Sequence, residues 1–223
     1  MNEDQVVVLL SGGLDSTTAL YWAITRWGIG NVHAVTFRYG QRHASEIEAA
    51  LVISAEAGVR DWKLLHAPVF SQFEDSALVV PGEDLNADHR AGDLPASFVP
   101  GRNIIFLTLA SALAYKIGAK DVVIGANQVD YSGYPDCRGE FLEEMQRAIR
   151  LGFDYPNLRI HAPLLYLVKA DIILLAKSLG AMDGLAHSIS CYNGERPPCG
   201  KCPSCEIRAK GFAEAKIEDP ALR

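Results

Sequence analysis

Two kinds of hydrophobic pattern alternate along this chain. Unbroken apolar runs such as VVVLL (Val6–Leu10) and VVI (Val122–Ile124) suit strands buried on both faces, as in a parallel sheet. Between them apolar residues recur at helical spacing, as Ile47, Leu51 and Ala55 do on one face of a single segment. The pattern predicts strands over Gln5–Leu10, Val32–Phe37, Trp62–Leu65, Val122–Ile124 and Arg159–His161. It predicts helices over Asp15–Trp27, Arg42–Gly58, Arg102–Ile117, Glu140–Leu151 and Lys169–Leu179. This βαβα rhythm predicts an α/β fold, a doubly wound parallel sheet with helices on both faces.

Two stretches leave the rhythm. Val69–Pro100 is long and rich in Asp, Gly and Pro, and so long a connection inside a compact domain points to a functional loop, here read as a lid. The segment from Ser190 onward is rich in cysteine. The expected organisation is an α/β domain over 1–189 with a C-terminal four-cysteine segment, 190–223, packed on it.

Composition narrows the class. The chain has 223 residues, 49% of them apolar, enough for one domain with a real core. Its net charge of −6 and lack of a long basic run disfavour binding driven by phosphate neutralisation along a nucleic acid. The start, MNEDQVVVLL, does not read as a secretory leader. The apolar stretch Ile104–Tyr115 is interrupted by Thr108 and Ser111 and falls short of the ~20 residues a bilayer span needs. The expectation is a soluble, cytoplasmic protein acting on small molecules, with no direct nucleic-acid or membrane partner.

The chemistry begins where the first strand meets the first helix, at SGGLDST (Ser11–Thr17). Glycines allow a sharp turn and close approach of an anion. The following helix offers unpaired N–H groups and the positive end of its dipole, and Ser11, Ser16 and Thr17 add hydroxyls, so the junction suits phosphate or pyrophosphate. The Walker and dinucleotide patterns are both absent. A plain turn capped by Asp15 or Ser16 is the bland alternative.

The second feature is Cys191-x7-Cys199-x2-Cys202-x2-Cys205. Four thiolates can close a tetrahedral site, which suits Zn²⁺ in a structural role, since no position stays open for chemistry. An iron–sulfur cluster uses the same number of ligands. The fifth cysteine, Cys137, reads as a small hydrophobe. Four polar strings lie where a parallel sheet presents its ligand edge: FRYGQRH (Phe37–His43), FVPGRN (Phe98–Asn103), GANQVDYSGYPDCR (Gly125–Arg138) and Lys169 at a helix start. Taken singly, each also fits a solvated surface.

The string SGGLDS resembles the PP-loop of the ATP pyrophosphatases, the adenine-nucleotide α-hydrolase-like, Rossmann-type group. With FRYGQRH, VPGRN, DYSGYPDCR and CYNG…CGKCPSC in one chain and in this order, the sequence resembles the 7-cyano-7-deazaguanine (preQ0) synthase family of the queuosine pathway over nearly its whole length. Gly101 stands where the family more often has Ala, a difference expected to be neutral. The resemblance implies ATP as co-substrate, Mg²⁺, structural Zn²⁺ on Cys191, Cys199, Cys202 and Cys205, and a homodimer. It implies that 7-carboxy-7-deazaguanine is adenylated, aminated by ammonia to an amide, adenylated again and released as the nitrile. A relative that stops at the amide, or joins the carboxylate to another amine, shares the same motifs.

Roles follow from that resemblance. Ser11, Gly12, Gly13, Leu14, Asp15, Ser16 and Thr17 bind the nucleotide. Lys169 and Arg102 balance phosphate charge, Asp15 partners Mg²⁺ or orients the loop, and His43 is an acid–base candidate. Asp130 or Asp136 reads the N1–H and 2-amino edge of the ring, and Tyr131 or Tyr134 stacks on it. Gln41, Arg42 or Arg138 holds the substrate carboxylate, with Tyr39 and Asn103 completing the substrate set.

Overall fold

The computed structural model describes residues 5–41, 44–72, 78, 94–129 and 133–222. Arg42, His43, Asp130, Tyr131 and most of the expected lid lie outside the described residues. Five strands, β1 (Val6–Leu9), β2 (Val32–Arg38), β3 (Asp61–His66), β4 (Asp121–Val123) and β5 (Arg159–His161), form one sheet in the order β3-β2-β1-β4-β5. Every neighbouring pair is parallel, and β1 is level with both flanks, Val6 facing Val32 on one side and Asp121 on the other.

Strand alternation divides the core. Val6, Val8 and Leu10 point to one face and Val7 and Leu9 to the other. The first face is covered by α1 (Leu14–Trp27), α2 (Ser45–Glu56), α5 (Lys169–Ser178), α6 (Met182–His187) and α7 (Pro203–Ala215). The second is covered by α3 (Arg102–Ile117) and α4 (Gly139–Gly152). Val6, Val7 and Val8 are fully buried, each adding roughly 1.5–3 kcal/mol of hydrophobic stabilisation. The change of side between α2 and α3 is what right-handed crossovers demand once the chain returns to pair β4 with β1. That reversal is the topological switch point, and it opens a crevice beyond the carboxyl ends of β1 and β4.

The predicted strands and first five helices are present with shifted ends. α2 begins at Ser45 rather than Arg42 and stops before Gly58, whose φ of 73° ends the helical run. Two helices, α6 and α7, were not foreseen. α6 is six residues long and carries too little pattern to see. The buried positions of α7 are Cys205, Arg208, Gly211 and Phe212, so its inward stripe does not read as apolar. Cys191, Cys202, Cys205 and Phe212 belong to the same core as β1 and α1.

At the amino ends of the strands, Asp121 is 1% exposed. It accepts hydrogen bonds from Arg159 Nε (2.7 Å) and Nη2 (2.8 Å), and pairs with His161 Nε2 (2.6 Å). Burial alone would raise its pKa, but these partners hold it down to about 2. A depressed carboxylate contributes stability above its ordinary pKa, and that contribution is lost as pH falls through the folded value. Arg159 is half exposed and can be resolvated when freed, so Asp121→Asn is expected to cost about 2 kcal/mol at neutral pH, below the full loss for a wholly buried pair. Acid melts check this: the gap between wild type and variant should close between pH 4 and pH 2.

Candidate active site

The crevice is a cavity of about 310 Å³. Its floor is the loop after β1. Gly13 caps α1 without a side chain, so the first-turn N–H groups face the loop mouth, and neither Asp15 nor Ser16 serves as the cap. The loop holds itself in shape: Ser16 Oγ accepts from the Ser11 N–H (3.1 Å), lies 3.0 Å from Ser11 Oγ and donates to the Gly13 carbonyl (3.1 Å).

The two glycines do different work. At Gly12, φ is 89° and a Cβ would lie 2.3 Å from the Glu46 carbonyl oxygen, so this glycine lets α2 press against the loop. Its own carbonyl accepts from the Ile189 N–H (2.9 Å). Gly13 lines the cavity and Gly12 does not. Thr17 is fully buried and its hydroxyl donates to the Gly13 carbonyl (2.8 Å), so it braces the loop from behind. Ser11, Leu14, Asp15 and Ser16 line the cavity.

Lys169, the first residue of α5, reaches across the loop. Its Nζ donates to Asp15 Oδ1 (2.6 Å) and Oδ2 (2.8 Å), and both residues line the cavity. Asn127, which the sequence reading passed over, sets this approach. Its side-chain N–H groups donate to the carbonyls of Leu164 and Leu167 (2.7 Å each), and its oxygen accepts from the Val129 N–H, tying the loop after β4 to the turn before α5.

Gly211 of α7 packs against the stem of the same lysine. A Cβ there would lie 2.4 Å from Lys169 Cγ and 2.9 Å from its Cβ. Gly211→Ala gains helix propensity of about 1 kcal/mol, against an overlap penalty of about 1–3 kcal/mol. The melting temperature should therefore fall only slightly. Displacing Lys169 is expected to lower kcat/KM roughly 10- to 100-fold. Parallel melts and rates check this; an activity loss no larger than the unfolded fraction would overturn it.

The opposite end is aromatic. Phe37 and Phe106 stack at 4.2 Å, and Tyr39 meets Phe106 edge-on at 5.4 Å. Tyr134 and Tyr192 complete the wall. The Tyr134 hydroxyl lies 2.6 Å from Ser97 Oγ. The Arg102 guanidinium lies 5.9 Å from the ring centres of both Tyr39 and Tyr134. Burial works against its charge, but Tyr39, Tyr134 and Asp136 raise its pKa above the ordinary value. Burial pushes the Tyr39 hydroxyl up to about 12.

Several expected contacts are rearranged. Asp136 is buried and does not line the cavity. Its carboxylate accepts from the Asn103 N–H (3.3 Å), while Asn103 Nδ2 donates to its carbonyl (3.0 Å), so the pair anchors the start of α3. Gln41 lines the cavity, but its amide closes its own loop, accepting from the Tyr39 N–H (2.8 Å) and donating to the Phe37 carbonyl (3.1 Å). Arg138 precedes α4 and is not among the lining residues. Cys137 is half-buried, and burial foremost pushes its thiol up to about 11, which suits packing rather than nucleophilic attack. Among the described residues, the further carboxylate lining the cavity is Glu46, which the sequence reading did not single out.

The C-terminal segment closes one side. The sulfurs of Cys191, Cys199, Cys202 and Cys205 lie within 4.8 Å of one another, and all four thiols are free. Tetrahedral bonds of ~2.3 Å would place sulfurs about 3.8 Å apart, and Cys199 and Cys205 are already at 3.9 Å. These residues could hold a metal ion. Arg208 on α7 ties the segment down, donating to both oxygens of Asp219 (2.6 and 2.8 Å) and to Ser188 Oγ (2.9 Å). Ser190, Tyr192, Ser204, Ile207 and Arg208 all line the cavity.

Fold and loop together define an α/β protein of the PP-loop class, with a strand–glycine–helix cradle at the switch point of a parallel sheet. The family model described as "Queuosine biosynthesis protein QueC" matches residues 5–216, and the chain belongs to that family. The 7-cyano-7-deazaguanine synthase of Chromobacterium violaceum is 51% identical over 99% of this chain and 94% of its own length. That of Laribacter hongkongensis is 47% identical over 98% and 94%. Among solved structures, NMN synthetase from Francisella tularensis has the same fold at 14% identity, with a TM-score of 0.54 over 97% of this chain and 79% of its own. Among the described residues, no helix is long and apolar enough to cross a membrane.

Proposed function

We propose that this chain is an ATP-dependent ligase that makes 7-cyano-7-deazaguanine from 7-carboxy-7-deazaguanine and ammonia. The observation that carries the proposal is one cavity with two unlike ends, a self-braced glycine loop beside Lys169 and a slot walled by aromatic rings, in a member of the QueC family.

The substrate carboxylate attacks the α-phosphorus of ATP, pyrophosphate leaves, and an acyl-adenylate forms. Ammonia adds to the acyl carbon, a proton is lost, and AMP leaves with the C–O bonding pair, giving the amide. The amide oxygen attacks a second ATP and pyrophosphate leaves. Loss of both N–H protons, and departure of AMP with the C–O bonding pair, then produces the C≡N bond. AMP is a far better leaving group than oxide or hydroxide, which is the purpose of each adenylation.

The loop N–H groups and Ser11 cradle the departing pyrophosphate, and Lys169 offsets its charge. The aromatic wall holds the planar ring, excluding water from an acyl-adenylate that water would hydrolyse. Mg²⁺ bound with the nucleotide supplies further charge neutralisation, with Asp15 the carboxylate beside the loop. Zn²⁺, held by Cys191, Cys199, Cys202 and Cys205, would supply a structural cross-link rather than a site for chemistry. The proposal extends to a cytoplasmic homodimer acting on small molecules alone.

The test is one incubation with 7-carboxy-7-deazaguanine, ammonium, Mg²⁺ and ATP, read by mass spectrometry. Nitrile with two AMP per turnover supports the proposal. Amide with one AMP points to the amide-forming reaction, and absence of substrate-dependent AMP overturns both.

A further inference from the structure

Among the described residues, two carboxylates line the cavity, and their surroundings differ. Asp15 is held by Lys169 at the loop end. Glu46, in the first turn of α2, lines the cavity together with Arg102, Tyr39 and Tyr192. Among the described residues, no donor hydrogen-bonds its side chain, and Arg102 acts on it only at a distance. Glu46 is half-buried, and burial foremost raises its pKa to about 7, so leaving its carboxylate unpaired there carries a cost. It cannot serve the phosphates, which it would repel. It can serve a ligand that brings donors.

We infer that Glu46 is the specificity residue of the ring slot, its two oxygens accepting the ring N1–H and the 2-amino group of a guanine-type base. The inference rests on the proposed function. Three observations converge on it. The aromatic wall of Phe37, Tyr39, Phe106 and Tyr134 fits a flat ring. A carboxylate's paired acceptors match two parallel donors on one ring edge. Of the two aspartates the sequence offered for this edge, Asp130 lies outside the described residues, and Asp136 is buried and spent on Asn103. Arg102, which shares the slot, is left for the oxygen-bearing side of the ligand.

The test compares 7-carboxy-7-deazaguanine with its analogue lacking the 2-amino group. A site built around a hydrogen bond rejects a ligand that leaves it unpaired, by up to about 10⁴-fold or more. The wild-type protein is therefore expected to prefer the full substrate by at least about 100-fold, both in kcat/KM for AMP release and in equilibrium binding. Glu46→Gln keeps the volume but replaces one acceptor with a donor, and the preference should fall below about tenfold. Glu46→Asp should retain part of it. A wild-type protein that turns over both compounds equally overturns the inference without any variant, as does a folded Glu46→Gln variant with unchanged preference. If the wild type neither binds nor consumes either compound, the proposed function itself fails.

Discussion

Lys169→Met is expected to lower substrate-dependent AMP formation about a thousandfold while leaving the fold intact. Among the described residues, Lys169 is the cation paired with Asp15 of the loop, and its side chain is only 12% exposed. A preorganised charge in a water-poor site contributes most where charge develops, and removing one such group typically costs 10²–10³ in rate. Here the loss is compounded, because Asp15 is left as an unpaired carboxylate beside the departing pyrophosphate. Methionine keeps the stem that packs under Gly211, so the melting temperature should hold within a few degrees. Single-turnover pyrophosphate release is the measurement of choice. Asp15→Asn in the Lys169→Met background should recover part of the rate. A fall of less than tenfold would remove Lys169 from the chemistry.

Cys202→Ser is expected to abolish metal binding and activity together. A structural metal's binding energy is folding energy, on the order of 10 kcal/mol for thiolate sites. Tyr192 and Arg208 belong to the segment the metal would pin, and both line the cavity. The melting temperature should drop by at least about 10 °C. Elemental analysis of wild type should find one zinc per chain; iron with acid-labile sulfide would replace zinc by a cluster. Exchange for Cd²⁺ separates a cross-link from a catalyst, since a cross-link leaves kcat within about threefold. A larger change would place the metal in the reaction.

Legibility differed from residue to residue for a physical reason. The run VVVLL, the SGGLDS turn and the four cysteines each act through neighbours close along the chain, so pattern and spacing exposed them. α3 begins and ends where its periodicity says, at Arg102 and Ile117. α7 was not legible, because its buried stripe holds an arginine satisfied by Asp219 and a glycine that accommodates Lys169, and both partners lie on other elements.

Glu46 shows the same limit. In sequence it is a polar residue at a helix start, no different from Glu48. Only the packing of α2 against Gly12, and the return of the chain through α3 to bring Arg102 opposite, make it a cavity carboxylate. Asp136 and Gln41 moved the other way, from candidate ligands to local braces, because backbone groups near them needed partners first.

By itself, then, the sequence determined the parallel α/β architecture, the glycine turn after β1 and the four-cysteine set, since hydrophobic period, turn chemistry and ligand spacing are local properties. The tertiary structure alone decided which side chains share the cavity. Lys169 meets Asp15 across 154 positions of chain, and such a meeting is set by how helices pack on a sheet rather than by any pattern along it.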